Sequence, residues 1–193
     1  MNTKVYNSLN YNSEFQNQRG GYFKNSVFIA QPYLSGKEYT CSFSWYINKD
    51  NTVTIKIRSI VRLEKILIEG IPVPQLSTLV HQDDQIVKRI KSYLKKICPS
   101  LPMKLGSASF GFILENETDI LYIIDFNDRL SDLSGSSLGT FKSTGGTQML
   151  DFVNLHISPE EFHYQSQMPY KTRNHSCIFY LLVKKEGLLD CSK

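Results

Sequence analysis

The chain has 193 residues, of which 41% are hydrophobic, 12% aromatic and 21% charged. This length and composition predict one globular domain with a substantial core, and they exclude a disordered chain or two large domains. The net charge of +4 is mild, so it permits an acidic partner without requiring one.

Cysteine usage and the absence of apolar segments bear on where the protein works. The cysteines are spread along the chain without a CxxC pair: Cys41, Cys98, Cys177 and Cys191. Such spacing predicts reduced thiols of an intracellular protein rather than a disulfide framework. The N-terminus has no segment of signal-peptide type, and no apolar run reaches membrane-spanning length. The expected location is the cytoplasm or the nucleus, away from membranes.

The first 36 residues are rich in Asn and Gln, with aromatic residues between them. This pattern predicts a polar N-terminal arm over residues 1–36 and a single domain over residues 37–193. We expect the arm to contact a protein partner through Tyr11, Phe15, Tyr22 and Phe23.

Two neighbouring segments alternate apolar and polar residues in the manner of half-buried strands. They are EYTCSFSWYI, from Glu38, and TVTIKIRSIVRL, from Thr52, with the turn sequence NKDN before the second. They predict a β-hairpin. From about Gln82 to Ile97, apolar residues recur at helical spacing, with acids at the start and lysines at the end. This pattern predicts a long amphipathic helix.

The second half of the chain predicts further strands. SFGFILE and DILYIIDF are nearly continuous apolar runs and suggest central strands covered on both faces. Residues 131–148 predict a flexible Gly/Ser/Thr-rich loop, after which MLDFVNLHI reads as another strand, SPEEFHYQSQ as a short helix and HSCIFYLLVKK as a last buried strand. The expected fold is therefore α+β: a mostly antiparallel sheet of about six strands, with one long amphipathic helix packed across one face and a short second helix.

No metal or cofactor site follows from the spacing of ligand-type residues. The residues of zinc-ligand type match no zinc pattern: His156, His163, His175 and Cys177. Four acids near one strand end could hold a hard cation but match no calcium loop, and solubilising loop acids are the simpler interpretation: Asp119, Asp125, Asp128 and Asp132. The loop GSSLGTFKSTGG lacks the intervals of a phosphate-binding Walker loop.

Two histidine motifs suggest one enzymatic alternative. HISP at His156 and HSCI at His175 invite comparison with paired His-x-Ser/Thr motifs, in which two histidines act as acid and base on a phosphate ester. The second motif lacks Ser or Thr at the required offset. A histidine-dependent phosphoesterase therefore ranks as the second alternative.

The long helix carries basic residues opposite its apolar side, and no acid interrupts residues 85–98. Together with cations on the adjoining hairpin, they define a candidate surface for nucleic acid or an acidic partner. Its members are Lys88, Arg89, Lys91, Lys95, Lys96, Lys56, Arg58 and Arg62. A solvated helix face explains the same lysines.

Because no catalytic motif survives this comparison, the sequence predicts a non-enzymatic adaptor or subunit of an intracellular assembly. The arm, a sheet edge or the 131–148 loop, with Lys142, would contact the protein partner in a homo- or hetero-oligomer. The first alternative is a nucleic-acid-binding module that uses the helix over residues 83–97.

Overall fold

The computed structural model describes residues 32–68, 70–131 and 136–180. Most of the predicted arm, including Tyr11, Phe15, Tyr22 and Phe23, lies outside this range. The strands are β1 (Gly36–Ile47), β2 (Val53–Ile68), β3 (Ile71–Leu79), β4 (Leu105–Glu115), β5 (Leu121–Asn127) and β6 (Cys177–Phe179). The α-helices are α1 (Gln85–Ile97), α2 (Ser136–Thr144), α3 (Gln148–Ile157) and α4 (Pro159–Gln167).

The strands form one six-stranded sheet in the order β5-β4-β1-β2-β3-β6, and every neighbouring pair is antiparallel. The hairpin predicted from alternation is confirmed as β1 and β2. The predicted helix content was wrong. Instead of one long helix and a short second one, the described chain contains four α-helices.

Helix α1 covers one face of the sheet, here called the α1 face. Asp84 caps the helix by accepting a hydrogen bond from the backbone N–H of Ile86 at 3.0 Å. The helix buries Ile90 and Leu94 completely, within the same core cluster as Trp45. Since these side chains are all apolar, their removal from water supplies most of the driving force for packing here.

The opposite face of the sheet carries Ser42, Ser44, Ser107 and Ser109 and is called the serine face. Among the described residues, α3 contacts β1 and β4, and α2 and α4 contact β2. Leu155 and Phe162, which are both buried, lie beside Tyr46 and Thr54 at one end of this face. At the other end of this face, Asp125 of β5 is exposed in the described part of the chain.

Four expectations for the second half of the chain were wrong. The predicted flexible loop over 131–148 contains helix α2, and MLDFVNLHI forms helix α3 because Thr147 caps it by accepting a hydrogen bond from the N–H of Leu150 at 3.2 Å. Strand β5 is an edge strand rather than a central one. The described part of the last predicted strand is the short β6, where Cys177 is exposed.

No helix within residues 32–68, 70–131 and 136–180 is both long and apolar enough to cross a membrane.

Cysteine reactivity should reflect this packing. Burial raises the pKa of the Cys98 thiol to about 12 and raises that of Cys41 as well, whereas Cys177 is exposed. Since the thiolate is the reactive form, Cys41 and Cys98 should be inert in the folded chain. In a Cys191→Ser background, we expect an aromatic disulfide reagent to label one thiol in the native protein and three in urea.

The control variant adds Cys177→Ser to that background. It should lose the native labelling and keep the two thiols that urea exposes. Rapid labelling of a second thiol in the native protein would contradict the assignment of Cys41 and Cys98 to the closed core.

Candidate active site

The serine face is polar at its centre because small hydroxyl side chains let other parts of the chain approach the sheet closely. The hydroxyl groups of Ser44 and Ser107 are 2.5 Å apart and buried. Ser42 contacts Ser131 at 2.6 Å between their Oγ atoms, so the segment that follows β5 crosses this face.

Gln148, the first residue of α3, fixes that crossing segment to the sheet. Its side-chain amide donates to the carbonyl oxygens of Phe43 at 3.1 Å and Ala108 at 2.8 Å. Its Oε1 accepts from the backbone N–H of Ser131 at 2.8 Å and from the Ser131 hydroxyl at 2.9 Å. The side chain is completely buried, and these bonds satisfy its polar atoms.

A buried ion pair joins the serine face to α3. Register shifts by one residue between Ser42 and Phe43, which leaves Arg58 as the extra residue of a β-bulge. Its guanidinium binds the carboxylate of Asp151 with two hydrogen bonds, of which Nε to Oδ2 measures 2.7 Å. Arg58 is 7% exposed and Asp151 is 0% exposed. The sequence suggested that Arg58 belongs to a surface for nucleic acid. Its burial makes it unavailable for that contact.

Of the two glycines before α3, Gly146 makes room for this pair. A Cβ atom at Gly146 would lie 2.3 Å from Nη1 of Arg58. Gly145 has φ of +79°, a left-handed conformation that favours glycine. Packing against Arg58 therefore requires glycine at position 146, and the left-handed backbone conformation favours glycine at position 145.

The β5 end of the serine face holds Asp125 and Asn127, which lie two residues apart on this edge strand. In the sheet register they are opposite Gly111 and Ser109, and a second β-bulge leaves Ile124 as the extra residue. The amide nitrogen of Asn127 donates to Oδ2 of Asp125 at 2.5 Å. A carboxylate and an amide oxygen therefore lie side by side, and the Asp125 side chain is exposed.

Gly111 and Arg129 complete the surroundings of this pair. A Cβ at Gly111 would lie 3.0 Å from the Cβ of Asp125, so the glycine leaves no side chain beside the carboxylate. Arg129 follows two residues after Asn127 and is exposed. Its guanidinium offers planar donors of the kind that bind phosphate or carboxylate.

Beyond Asp125 the serine face carries four apolar side chains around Glu38, which pairs with Lys65. Strand alternation and register place Val61, Leu63, Ile113 and Tyr122 in the rows next to Asp125 and Gly111. Three of them are only half-buried, and Ile113 is 9% exposed. These four residues, here called the apolar strip, lie on both sides of Glu38 and Thr40 and beside a polar cluster with oxygen ligands and a cation. The arrangement suits a ligand that combines a flat apolar ring with anionic groups.

The four acids that the sequence grouped as cation ligands are separated. Asp119 accepts two hydrogen bonds of 2.9 Å from the guanidinium of Arg89, near α1. Asp128 is exposed beside Asn127, and Asp132 lies outside the described residues. No group of three His, Cys, Asp or Glu in the described chain could hold a metal ion. Asn127 was absent from the predicted group because that group contained carboxylates alone.

The predicted basic surface is not continuous. Arg89 binds Asp119, Arg62 pairs with Glu64 at 2.5 Å, and Arg58 is buried. The exposed members of α1 are Lys88, Lys95 and Lys96, whereas Lys91 and Lys56 are half-buried. Lys142 is exposed in the last turn of α2, and its backbone carbonyl accepts a hydrogen bond from Asn174 at 3.0 Å.

The histidines of the two candidate motifs have different surroundings. His156 contacts the backbone oxygen of Phe152 at 2.9 Å and lines a cavity of about 510 Å³ together with His163. His175 stacks on His81, with 5.8 Å between ring centroids. No contact joins His156 to His175 among the described residues.

The fold, rather than the sequence, connects the chain to known proteins. No protein-family model matches the sequence, and no curated protein matches it either. The architecture recurs in part of an enzyme of the ligase class. The match is the L-amino acid ligase from Bacillus licheniformis, with a TM-score of 0.63 and 14% identity over 82% of this chain and 38% of that one.

A second match is N5-carboxyaminoimidazole synthetase from Staphylococcus aureus in complex with ADP, with a TM-score of 0.49 and 14% identity. It covers 78% of this chain and 36% of that one. With a TM-score below 0.5, this match supports no conclusion about the fold or the function of the chain. The chain therefore spans well under half the length of either protein.

The predicted function needs correction on this basis. The expectation of a non-enzymatic adaptor is contradicted by a fold that occurs in a ligase. The two alternatives, nucleic-acid binding and a histidine phosphoesterase, find no support in the match. Whether a protein partner binds the arm or Lys142 stays a prediction.

Proposed function

We propose that this chain is the part of an ATP-dependent ligase that binds the nucleotide, with the Asp125–Asn127 pair at the centre of the site. The observation that carries the proposal is that this pair lies at the β5 end of the serine face, between Arg129 and the apolar strip. The fold shared with an L-amino acid ligase supports the enzyme class. By analogy with that protein, we propose amino acids as the molecules to be joined.

The side chains present fit a nucleotide with its magnesium ion. Mg²⁺ prefers oxygen ligands and is held by one or two carboxylates together with substrate phosphates. Asp125 offers a carboxylate, and Asn127 retains its amide oxygen because the amide nitrogen makes the bond to Asp125. When bound, the ion would neutralise charge on the phosphates.

The chain's own residues would bind and orient the nucleotide. Arg129 would donate hydrogen bonds to phosphoryl oxygens, which its planar guanidinium can do in pairs. Val61 and Leu63 would pack against the base through the apolar strip. The reduced thiols of the core support a cytoplasmic or nuclear location for the protein, where ATP is plentiful.

The test is calorimetric titration of the full chain with ATP in the presence of Mg²⁺. Asp125→Ala should weaken binding by about a hundredfold, because it removes the carboxylate that would bind the Mg²⁺ ion of the nucleotide. Chelation of Mg²⁺ should produce a similar loss in the natural protein and little further loss in the variant.

Asp128→Ala is the matched control, because it removes the next exposed carboxylate along the chain and leaves the Asp125–Asn127 pair intact. Its affinity for ATP should stay within about twofold of the natural protein. Equal affinity in the Asp125 and Asp128 variants would refute the proposed site.

A further inference from the structure

A second cavity lies at the opposite side of the sheet from Asp125, where β2 has a free edge. Strand β3 pairs with β2 only from Val61 onwards. Ile55 and Ile57 pair with β1 on one side and have no strand partner among the described residues on the other. The cavity measures about 180 Å³ and lies between β2, the start of α1 and the segment after α4. Its floor is apolar, with Ile55, Ile57 and Val87 in the lining.

Three lysines surround this cavity, which is called the lysine cavity: Lys56, Lys88 and Lys91. Lys88 and Lys91 come from one side of α1, because residues three apart share a helix face. Lys56 reaches the cavity from β2 and donates to the backbone oxygen of Gln165 at 2.7 Å. That bond uses one of its three ammonium protons, so two remain for a ligand.

The lysines are not neutralised by the described part of the protein. None of the ion pairs within residues 32–68, 70–131 and 136–180 includes Lys56, Lys88 or Lys91, although Arg89 on the same helix binds Asp119. No carboxylate lines the cavity among these residues. Burial, followed by the charge of Arg58, lowers the pKa of Lys56; the charge of Asp151 raises it, and Lys91 lowers it further. Asp151 is already paired with Arg58, so no carboxylate of the described residues binds the three lysines directly.

We infer that the lysine cavity binds a phosphate-sized polyanion, held by Lys56, Lys88 and Lys91. Its volume suits a phosphate group or a small phosphate ester and is too small for a nucleotide. Gln82 adds a polar group, since its Oε1 accepts the backbone N–H of Thr172 at 2.9 Å and its amide nitrogen can donate. An anion there would relieve the repulsion among the lysines and raise the pKa of Lys56.

This inference does not rest on the proposed nucleotide site, which lies on the other edge of the sheet. The probe is inorganic phosphate, titrated into the full chain by calorimetry at constant ionic strength maintained with chloride. Glycerol phosphate in a second titration distinguishes a free phosphate from a phosphoryl group carried on a small molecule. We expect saturable binding with one site.

The test variant is Lys88→Ala with Lys91→Ala, which leaves the apolar side of α1 unchanged and raises helix propensity. We expect it to weaken phosphate binding by at least about tenfold, because it removes two charge-assisted contacts. The matched control is Lys95→Ala with Lys96→Ala, which removes the same charge from exposed positions on the same helix. It should change affinity by less than about twofold.

Arg129→Ala separates the two sites. Phosphate binding that survives this variant and fails in the Lys88/Lys91 variant supports the inference, whatever happens to ATP. Binding that is lost only with Arg129 would place the anion at the Asp125 edge and overturn it. Equal weakening in the Lys88/Lys91 and Lys95/Lys96 variants, or no saturable binding by the natural protein, would also overturn it.

Discussion

Asp151→Ala is expected to lower the free energy of unfolding by about 3–5 kcal/mol, because it leaves the guanidinium of Arg58 buried without a counter-charge. The pair is closed to water, with Arg58 7% exposed and Asp151 0% exposed, so solvent cannot replace the lost carboxylate. Urea denaturation of the natural and variant chains, followed by circular dichroism, measures the difference.

A double variant identifies the cause of that loss. Arg58→Met with Asp151→Leu removes both charges and fills the space with apolar atoms, so it should cost clearly less than Asp151→Ala alone. Asp128→Ala, an exposed carboxylate, should change stability by no more than about 0.5 kcal/mol. If Asp151→Ala cost less than about 1 kcal/mol, Arg58 would have found another partner and the ion pair would not hold α3 to the sheet.

The first half of the fold could be predicted because its signals are local. Alternation over β1 and β2 and the NKDN turn indicate the hairpin, and the apolar spacing of α1 indicates the helix. Asp84 is the N-cap of this helix, so it lies just before the first helical turn and not within it. In these elements the apolar residues are the ones that become buried, which is the rule on which sequence patterns depend.

Helix α3 breaks that rule, and its sequence could not reveal this. Its fully buried side chains are polar, Gln148 and Asp151, whereas Met149 and Val153 are 44% and 38% exposed. Two of the partners that stabilise these buried polar groups, Arg58 and Phe43, lie about a hundred positions earlier in the chain. Because the pattern within MLDFVNLHI says nothing about those partners, its apolar content suggested a strand.

Only part of the candidate site could be predicted from the sequence, for a related reason. The sequence drew attention to Asp125 within a group of acids, but Asp119 turns to Arg89 on another element. The informative signal was the alternation of Asp125, Asn127 and Arg129 at the end of a strand, which places oxygen ligands on one face with a cation just beyond. The apolar strip next to it arises from register among β1, β2, β4 and β5, which no local pattern specifies.

Gln148→Ala should lower the free energy of unfolding by roughly 2–4 kcal/mol, since it leaves the carbonyl groups of Phe43 and Ala108 and the N–H of Ser131 without their partner. Denaturation in urea measures this. Gln165→Ala is the matched control, because that side chain is only half-buried and donates a hydrogen bond to the exposed Glu161 one helical turn away. It should change stability by no more than about 0.5 kcal/mol.

The same change tests how the fold serves the proposed site. Ser131 lies two residues after Arg129, so its two bonds to Gln148 limit where Arg129 can lie. Gln148→Ala should therefore weaken binding of ATP with Mg²⁺ by about tenfold under conditions where the variant is still folded, whereas Asp151→Ala should affect it less. Unchanged ATP affinity in a folded Gln148 variant would mean that Gln148 stabilises the sheet without positioning Arg129. In that case the serine face would act only as a packing surface beneath the segment that follows β5.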